Sequence, residues 1–493
     1  MKDTQDKIGY CQLSLGLLYE DSTEYDNSGE VYPTSKQEIS HTKNTNRFVV
    51  HEKLLETIME DANIEKAIQR VMSNKGSGGV DKMQVAEVRT HFAQHWSYLK
   101  KLIMEGHYSP QAVKRVEIPK DNGKKRELGI PTVTDRVIQQ AIVQVLTPIF
   151  EPQFSDNSYG FRPRRNAHQA VRKVVEYANE GYRYTVDLDL EKYFDTVNHS
   201  RLIQILSQTI KDGRVISLIH KYLNAGVIVK HKFEETTKGV PQGGPLSPLL
   251  SNIYLNEFDK EMERRGNRFV RYADDCVILF KSKRSAMRVK ETVTRYLEEK
   301  LFVKVNQEKT KVAYITDIKF LGFGFYIEKS GNVRITVHKK SKEKMKKRIK
   351  EITKRNRPIS SKELAKELKE YITGWVNYYR IANMSKHLRE IDSWMRRRIR
   401  MIYWKRWKLV RTRYRNLQKL GINKSKAWEW ANTRKSYWHI ANSFILKRTL
   451  TNEVLKNIRI YKCTRLLQLY KLMKRRVGNP THGVVKGAKD FNS

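Results

Sequence analysis

The chain has 493 residues, too many for one hydrophobic core and enough for about three domains at roughly 150 residues each. Its 96 Lys and Arg against 53 Asp and Glu leave a formal charge of +43, well beyond what solubility asks, so the expected partner is a polyanion, nucleic acid before any other. No run of about 18 apolar residues is available to span a membrane, and Cys11, Cys276 and Cys463 are too scattered for a disulfide framework or a structural zinc site, so a reducing, cytoplasmic location is expected.

Residues 1–48 mix Asp, Ser, Thr, Asn and Lys with little apolar period and are expected to be a disordered leader. From Leu54 to Met72 the apolar residues recur at threes and fours, which predicts a helix, until the glycines Gly76, Gly78 and Gly79 end it. Val116-Glu117-Ile118 and Arg126-Glu127-Leu128-Gly129-Ile130 flank the turn signal Asp121-Asn122-Gly123, which predicts a hairpin. A buried helix follows over residues 135–146, after a Thr or Asp cap.

Residues 181–328 alternate strands with helices and hold most of the chemistry. In Tyr184-Thr185-Val186-Asp187-Leu188-Asp189, strand alternation sets Val186 and Leu188 on one face and Asp187 and Asp189 on the other. The segment Gly239-Val240-Pro241-Gln242-Gly243-Gly244-Pro245 is a loop whose glycines let backbone approach a ligand closely. Further on, Phe269-Val270-Arg271-Tyr272-Ala273-Asp274-Asp275-Cys276-Val277 joins two apolar strands at an acidic dipeptide. Adjacent carboxylates repel unless a divalent cation bridges their charge, and Mg2+ takes a few carboxylates and completes its octahedron with phosphate and water. A strand carboxylate from 187 or 189 facing Asp274 would complete a two-metal clamp for in-line phosphoryl transfer, with the Leu190 carbonyl as a further hard ligand. Sequence alone does not choose between Asp187 and Asp189. Lys309, in Asn306-Gln307-Glu308-Lys309-Thr310, is placed to stabilise charge on a triphosphate.

After Lys339 the sequence turns to basic helices. Met345, Ile349 and Ile352 form one apolar stripe, and Leu388, Ile391, Met395, Ile399 and Ile402 another, each opposite Lys and Arg. Residues 341–420 carry 26 Lys and Arg against 7 Asp and Glu, which predicts a binding surface rather than a mixed solvated face. Arg396, Arg397, Arg398, Arg400, Lys405 and Arg406 are its expected RNA contacts.

The ordered series of motifs at 74–81, 118–136, 159–163, 189–195, 239–250, 272–275, 306–310 and 320–323 resembles the reverse transcriptases, most closely the maturases encoded by bacterial group II introns. Gly374-Trp375-Val376-Asn377-Tyr378-Tyr379-Arg380 is similar to the start of their maturase-specific thumb. The resemblance implies an α+β right-hand polymerase: fingers over 49–180, a palm of antiparallel sheet plus helices over 181–330, an all-α thumb over 331–430, and a basic DNA-binding extension over 431–493. It selects Asp189 over Asp187, because the family places an aromatic five residues after the metal ligand and Phe194 stands there. Asp189, Asp274 and Asp275 are then the catalytic carboxylates, holding two Mg2+ ions, with Mn2+ an acceptable substitute.

The same resemblance makes Phe194 the ring that rejects a ribose 2'-hydroxyl, and Gln242 a wall of the nucleotide pocket. Lys309 would face the triphosphate of the incoming dNTP, and Lys114 and Arg126 would clamp it from the fingers hairpin. Phe320, Leu321, Gly322 and Phe323 would hold the primer end. Implied partners are group II intron RNA, an RNA template with a DNA primer, target DNA and dNTPs. No paired cysteines and no His-Asn-His pattern accompany these motifs, so no nuclease is expected.

Overall fold

The structure is a computed structural model and describes residues 53–119, 125–230, 232–457 and 467–468. The expected leader, the Asp121-Asn122-Gly123 turn and most of the expected extension beyond 457 lie outside these. The chain divides into two compact units, with the boundary between Ile315 and Thr316. No helix among the described residues is long and apolar enough to cross a membrane.

In the first unit the expected opening helix is two, α1 (Leu54–Ile58) and α2 (Asp61–Ser73), each burying the apolar stripe that the spacing predicted. Helix α3 (Val88–Met104) leads to β1 (Val113–Pro119) and β2 (Lys125–Ile130), which pair antiparallel with Ile118 opposite Arg126 and Lys114 opposite Ile130. Helix α4 (Val133–Phe150) is capped by Thr132, whose hydroxyl accepts from the Asp135 N–H, and is buried along most of its length. Helix α5 (Ala167–Asn179) precedes β3 (Tyr184–Leu188). Between β3 and the next palm strands run α6 (Tyr193–Thr196), α7 (His199–Thr209), α8 (Gly213–Leu223), the short strands β4 (Val227–Val229) and β5 (Lys232–Glu234), and α9 (Ser247–Arg264).

The palm sheet is completed by β6 (Arg268–Tyr272), β7 (Asp275–Phe280) and, after α10 (Lys283–Lys300), β8 (Lys311–Tyr314). Its strand order is β6-β7-β3-β8 and every pairing is antiparallel, so adjacent strands need no parallel crossover and the two acidic segments fall on central neighbours. Val186 and Leu188 are buried as the alternation requires. The opposite face is not wet throughout, because Thr185 is also buried and its hydroxyl donates to the Ala313 carbonyl at 3.0 Å. That face opens only toward Asp187 and Asp189, both half-buried.

The second unit starts with the hairpin β9 (Phe323–Ile327) and β10 (Val333–Val337), a two-stranded sheet of its own. Its main helices are α11 (Lys339–Ile352), α12 (Ser361–Tyr379) and α13 (Ser385–Arg406), followed by α14 (Val410–Lys419) and α15 (Lys424–Ala431). Met345, Ile349 and Ile352, and Leu388, Ile391, Met395, Ile399 and Ile402, are all buried. The unit thus begins before residue 330: Phe323 packs on Tyr378 and Tyr379 of α12, at ring-centroid separations of 5.5 and 5.0 Å.

Candidate active site

The carboxylates meet because of strand register. β3 and β7 pair Asp187 with Val277 and Leu188 with Cys276; one step further, the same register sets Asp189 opposite Asp275, on the face shared by Thr185 and Asp187. β6 and β7 are closed by the Tyr272–Asp275 pair, leaving Ala273 and Asp274 as the turn, with Ala273 in the left-handed region at φ +56. Asp275 is exposed and Asp274 half-buried. Burial pushes the Asp274 carboxyl up from the usual range and the Asp189 charge adds to that, while the Arg126 guanidinium works in the opposite direction. Asp274 therefore sits within electrostatic reach of both Asp189 and Arg126, although Arg126 arrives from the fingers hairpin. Lys309 Nζ donates to Asp189 Oδ2 at 2.8 Å.

Asp189 is held at its main chain. Its N–H donates to Thr310 Oγ1 at 3.1 Å and its carbonyl accepts from the Asn306 N–H at 2.9 Å, so the Asn306–Thr310 knot fixes both Asp189 and the lysine that pairs with it. Leu190 bridges to Val305 and its side chain is in the core.

The glycine-rich loop lies against the same surroundings. The Val240 N–H donates to the Phe194 carbonyl at 2.6 Å, and a Cβ on Gly239, at φ +92, would come within 2.9 Å of that carbonyl oxygen. The Gly129 N–H of β2 donates to the Gln242 carbonyl at 2.6 Å, and Gly243, at φ +125, abuts the Gly129 carbonyl so closely that a Cβ would stand 2.2 Å from it. Glycine is required at 243 on both counts. Phe194 is half-buried, edge-on to Tyr193 with ring centroids 5.3 Å apart. Lys114 and Arg126 share one face of the β1–β2 hairpin, since residues two apart on a strand and residues directly paired point the same way.

Asp189, Asp274 and Asp275 are the groups here whose hard oxygens suit a divalent ion. Among the described residues no three carboxylate, imidazole or thiolate groups converge on one point; Mg2+ is commonly held by one or two carboxylates, with substrate phosphate and water filling the rest. A pair of carboxylates answered by Lys309 and Arg126 is the charge pattern of a site that exchanges cationic partners.

In the second unit the structure shows how two sets of expected contacts are packed. Phe320 and Phe323 are buried, and their main chains exchange hydrogen bonds across a tight turn; the Leu321 carbonyl accepts from the Tyr378 hydroxyl at 2.9 Å and the Gly322 carbonyl from the Ser341 hydroxyl at 2.8 Å. Only Leu321 and Gly322 reach the surface of that element.

Within the arginine run on α13, Arg398 and Arg400 are buried. Arg398 is 9% exposed and donates to Thr353 Oγ1 at 2.5 Å and to the Lys350 and Thr353 carbonyls at 3.1 and 3.0 Å, so it caps the C-terminal end of α11. Arg400 donates to the Leu450 carbonyl at 2.9 Å, Arg397 lies 3.9 Å over the Trp438 ring and bonds its carbonyl, Arg406 bonds Ser361 and the Ile359 carbonyl, and Lys405 bonds Asn356. Burial pulls the Arg398 and Arg400 guanidiniums down from their usual range. Of the six expected RNA contacts Arg398 and Arg400 are buried, whereas Arg406 is exposed and Arg396, Arg397 and Lys405 are half-buried. Helical spacing identified the apolar stripe but not that its neighbours would be needed as caps. Arg398→Gln is therefore expected to cost about 2–4 kcal/mol, by leaving buried carbonyls without a donor, measured by chemical denaturation; unchanged stability with weakened RNA binding would restore the original reading.

Sequence reasoning missed Arg271 altogether. Its signal was an arginine in phase with Phe269 on the buried face of an apolar strand.

Comparison with known proteins places the chain in a family. Residues 118–325 match the model described as reverse transcriptase (RNA-dependent DNA polymerase), and residues 342–421 the group II intron maturase-specific domain. Protein YkfC of Escherichia coli is 33% identical over 327 residues, covering 58% of this chain and 86% of that protein. The group II intron-encoded protein LtrA of Lactococcus lactis is 32% identical over 337 residues, covering 54% of this chain and 55% of LtrA. A putative COX1/OXI3 intron 2 protein of Saccharomyces cerevisiae is 28% identical over 292 residues, 46% of this chain and 34% of that protein. With both models matched in order along one polypeptide, and one relative matched over most of its length, the chain belongs to the group II intron-encoded reverse transcriptases and maturases.

Proposed function

We propose that the chain copies an RNA template into DNA at Asp189, Asp274 and Asp275, and that it binds the RNA of a group II intron to assist its splicing and mobility. The observation that carries the polymerase half is the convergence of Asp189, Asp274, Lys309 and Arg126, beside a glycine-rich loop that packs against both Phe194 and the fingers hairpin. Asp189, Asp274 and Asp275 would hold two Mg2+ ions together with the phosphates of a dNTP. When bound, such ions acidify the primer 3'-hydroxyl and stabilise the departing pyrophosphate.

The protein's own groups supply the rest. Arg126 on the hairpin meets the triphosphate from one side, and Lys309 from the other, exchanging Asp189 for a phosphate oxygen. Phe194 fills the space beneath the sugar, and Gln242, its carbonyl tied to Gly129, lines the base and template side. Primer extension on an RNA template with dNTPs and Mg2+ tests this reading. Template-dependent DNA supports it; a folded, RNA-binding chain that makes no DNA with either Mg2+ or Mn2+ would instead leave a splicing factor that has kept only the fold.

The RNA-binding half is assigned to exposed cations of the second unit in place of the buried Arg398 and Arg400. Lys340, Lys347 and Lys350 on α11 are exposed, and phosphate contacts need solvent-facing charge. Replacing all three with Gln is expected to lower intron affinity about tenfold or more and to flatten the log–log salt slope by about 2–3, read by filter binding across a salt series; an unchanged slope places the contact elsewhere. For target DNA, Trp428 is 59% exposed on α15, edge-on to Tyr414 at 5.8 Å, with Lys424, Lys426 and Arg415 exposed on the same two helices. That combination suits a stacked single strand.

A further inference from the structure

Arg271 lies on the buried face of β6, 1% exposed, within one residue of the catalytic turn. Its guanidinium makes a two-pronged pair with Asp259 of α9, Nε to Oδ1 at 2.7 Å and Nη2 to Oδ2 at 2.5 Å. The third nitrogen, Nη1, donates to Asn252 Oδ1 at 3.1 Å and to the Ala273 carbonyl at 2.9 Å. Asn252 Nδ2 in turn donates to the Gly160 carbonyl at 2.8 Å. Gly160 presses on the outside of the same turn: a Cβ there would fall 2.3 Å from the Ala273 nitrogen. The main chain beside it is stitched to β6, with the Tyr159 N–H donating to the Arg271 carbonyl and the Arg271 N–H to the Asn157 carbonyl, both at 2.9 Å.

The turn so enclosed is strained. A non-glycine residue in the left-handed region persists only when its surroundings over-determine it, and Ala273 is such a residue. A salt bridge this deeply buried is a poor device for stability alone, since apolar residues of the same volume usually serve as well. Here it fixes one guanidinium so rigidly that the remaining nitrogen holds a carbonyl of the turn.

We propose that Arg271 is the positioning residue of the active site: held by Asp259 and Asn252, it locks the Ala273 carbonyl from the core side while Gly160 blocks the turn from the other, and so sets where the Asp274 and Asp275 carboxylates stand. The proposal rests on the polymerase reading given above. It explains why the segment around Gly160 and helix α9 must be built to the same tolerance as the carboxylates.

The test compares the intact chain with Arg271→Lys and with Gly160→Ala, using the full protein and thermal unfolding to select folded variants. Arg271→Lys keeps the charge but has one nitrogen and cannot serve Asp259, Asn252 and Ala273 together. Gly160→Ala leaves the ion pair intact and displaces the turn. Each is expected to lower kcat for dNTP addition by about 10–100-fold, the loss that a displacement of about 1 Å brings, with the KM for dNTP within about threefold. Each should also weaken Mn2+ binding about tenfold in a complex with dideoxy-terminated primer, RNA template and dNTP, read by electron paramagnetic resonance. A folded variant of either kind with unchanged kcat and Mn2+ affinity overturns the proposal, as does a loss confined to KM. If Arg271→Lys does not fold, Gly160→Ala decides alone. Failure of the polymerase reading shows differently, as absence of DNA synthesis by the intact chain, and the Mn2+ titration does not depend on turnover.

Discussion

Asp274→Ala is expected to reduce RNA-templated DNA synthesis by about 10³-fold or more while leaving affinity for intron RNA within about twofold. The size of the first effect follows from what the carboxylate does: in phosphoryl transfer nearly all catalysis is positioning and electrostatic stabilisation, so losing one ligand of the ions forfeits several kcal/mol at the transition state. The smallness of the second follows from where the charges are. Asp274 is half-buried in the hairpin turn of the first unit, whereas the exposed lysines of α11 belong to the second. Removing a carboxyl whose ionised form burial already disfavours should not unfold the sheet, so unchanged thermal unfolding is part of the expectation. The measurement pairs primer extension with filter binding on the same preparation. Parallel loss of both activities would sink the separation of roles.

The sequence made the palm legible because its physics is local. Alternation in residues 184–189 and the apolar strands around Asp274 and Asp275 predict an antiparallel arrangement, and the observed register, which ends at Leu188 opposite Cys276, sets Asp189 opposite Asp275 when continued by one step. The apolar stripes of α11 and α13 were equally readable, since a period near 3.6 reports burial directly. Charge did not report exposure. Arg398 and Arg400 sit in a run that composition marks as a basic binding surface, yet helix ends created by the tertiary packing, at Thr353 and Leu450, recruited them as donors. Arg271 is the same lesson at the active site: its partners Asp259 and Asn252 lie on one helix, 12 and 19 residues before it, while Gly160, which Asn252 bonds, stands 92 residues before Asn252 and is brought there only by the fold. The motif at Phe320–Phe323 was visible as a motif, but that the Phe323 ring packs on Tyr378 and Tyr379 depended on a hairpin and a helix more than fifty residues apart in sequence.

Phe194→Ala is expected to lower discrimination between dNTPs and rNTPs by about 100-fold, a change of about 2.7 kcal/mol. A steric gate works only if its ring cannot retreat, and here the main chain beneath it is fixed twice. The Phe194 carbonyl accepts from Val240, and the Tyr193 hydroxyl next to it donates to the Ser251 carbonyl at 3.1 Å. Gly239 packs against the Phe194 and Asp195 backbone with no room for a side chain. A 2'-hydroxyl meeting the ring must therefore displace the nucleotide rather than the protein, which is rejection by collision and not by a missing hydrogen bond. Truncation removes the collision without creating new affinity, so the gain should lie in kcat/KM for rNTPs, with dNTP efficiency falling only a few-fold as the ring's support of the sugar is lost. Because the ring is half-buried, a stability loss of about 1–2 kcal/mol should accompany the change. Single-nucleotide incorporation with matched dNTP and rNTP reads the discrimination. If the ratio stays at its original value in a folded variant, the sugar is sensed elsewhere on this surface, and Gln242, whose loop is fixed to both Phe194 and Gly129, is the next residue to replace.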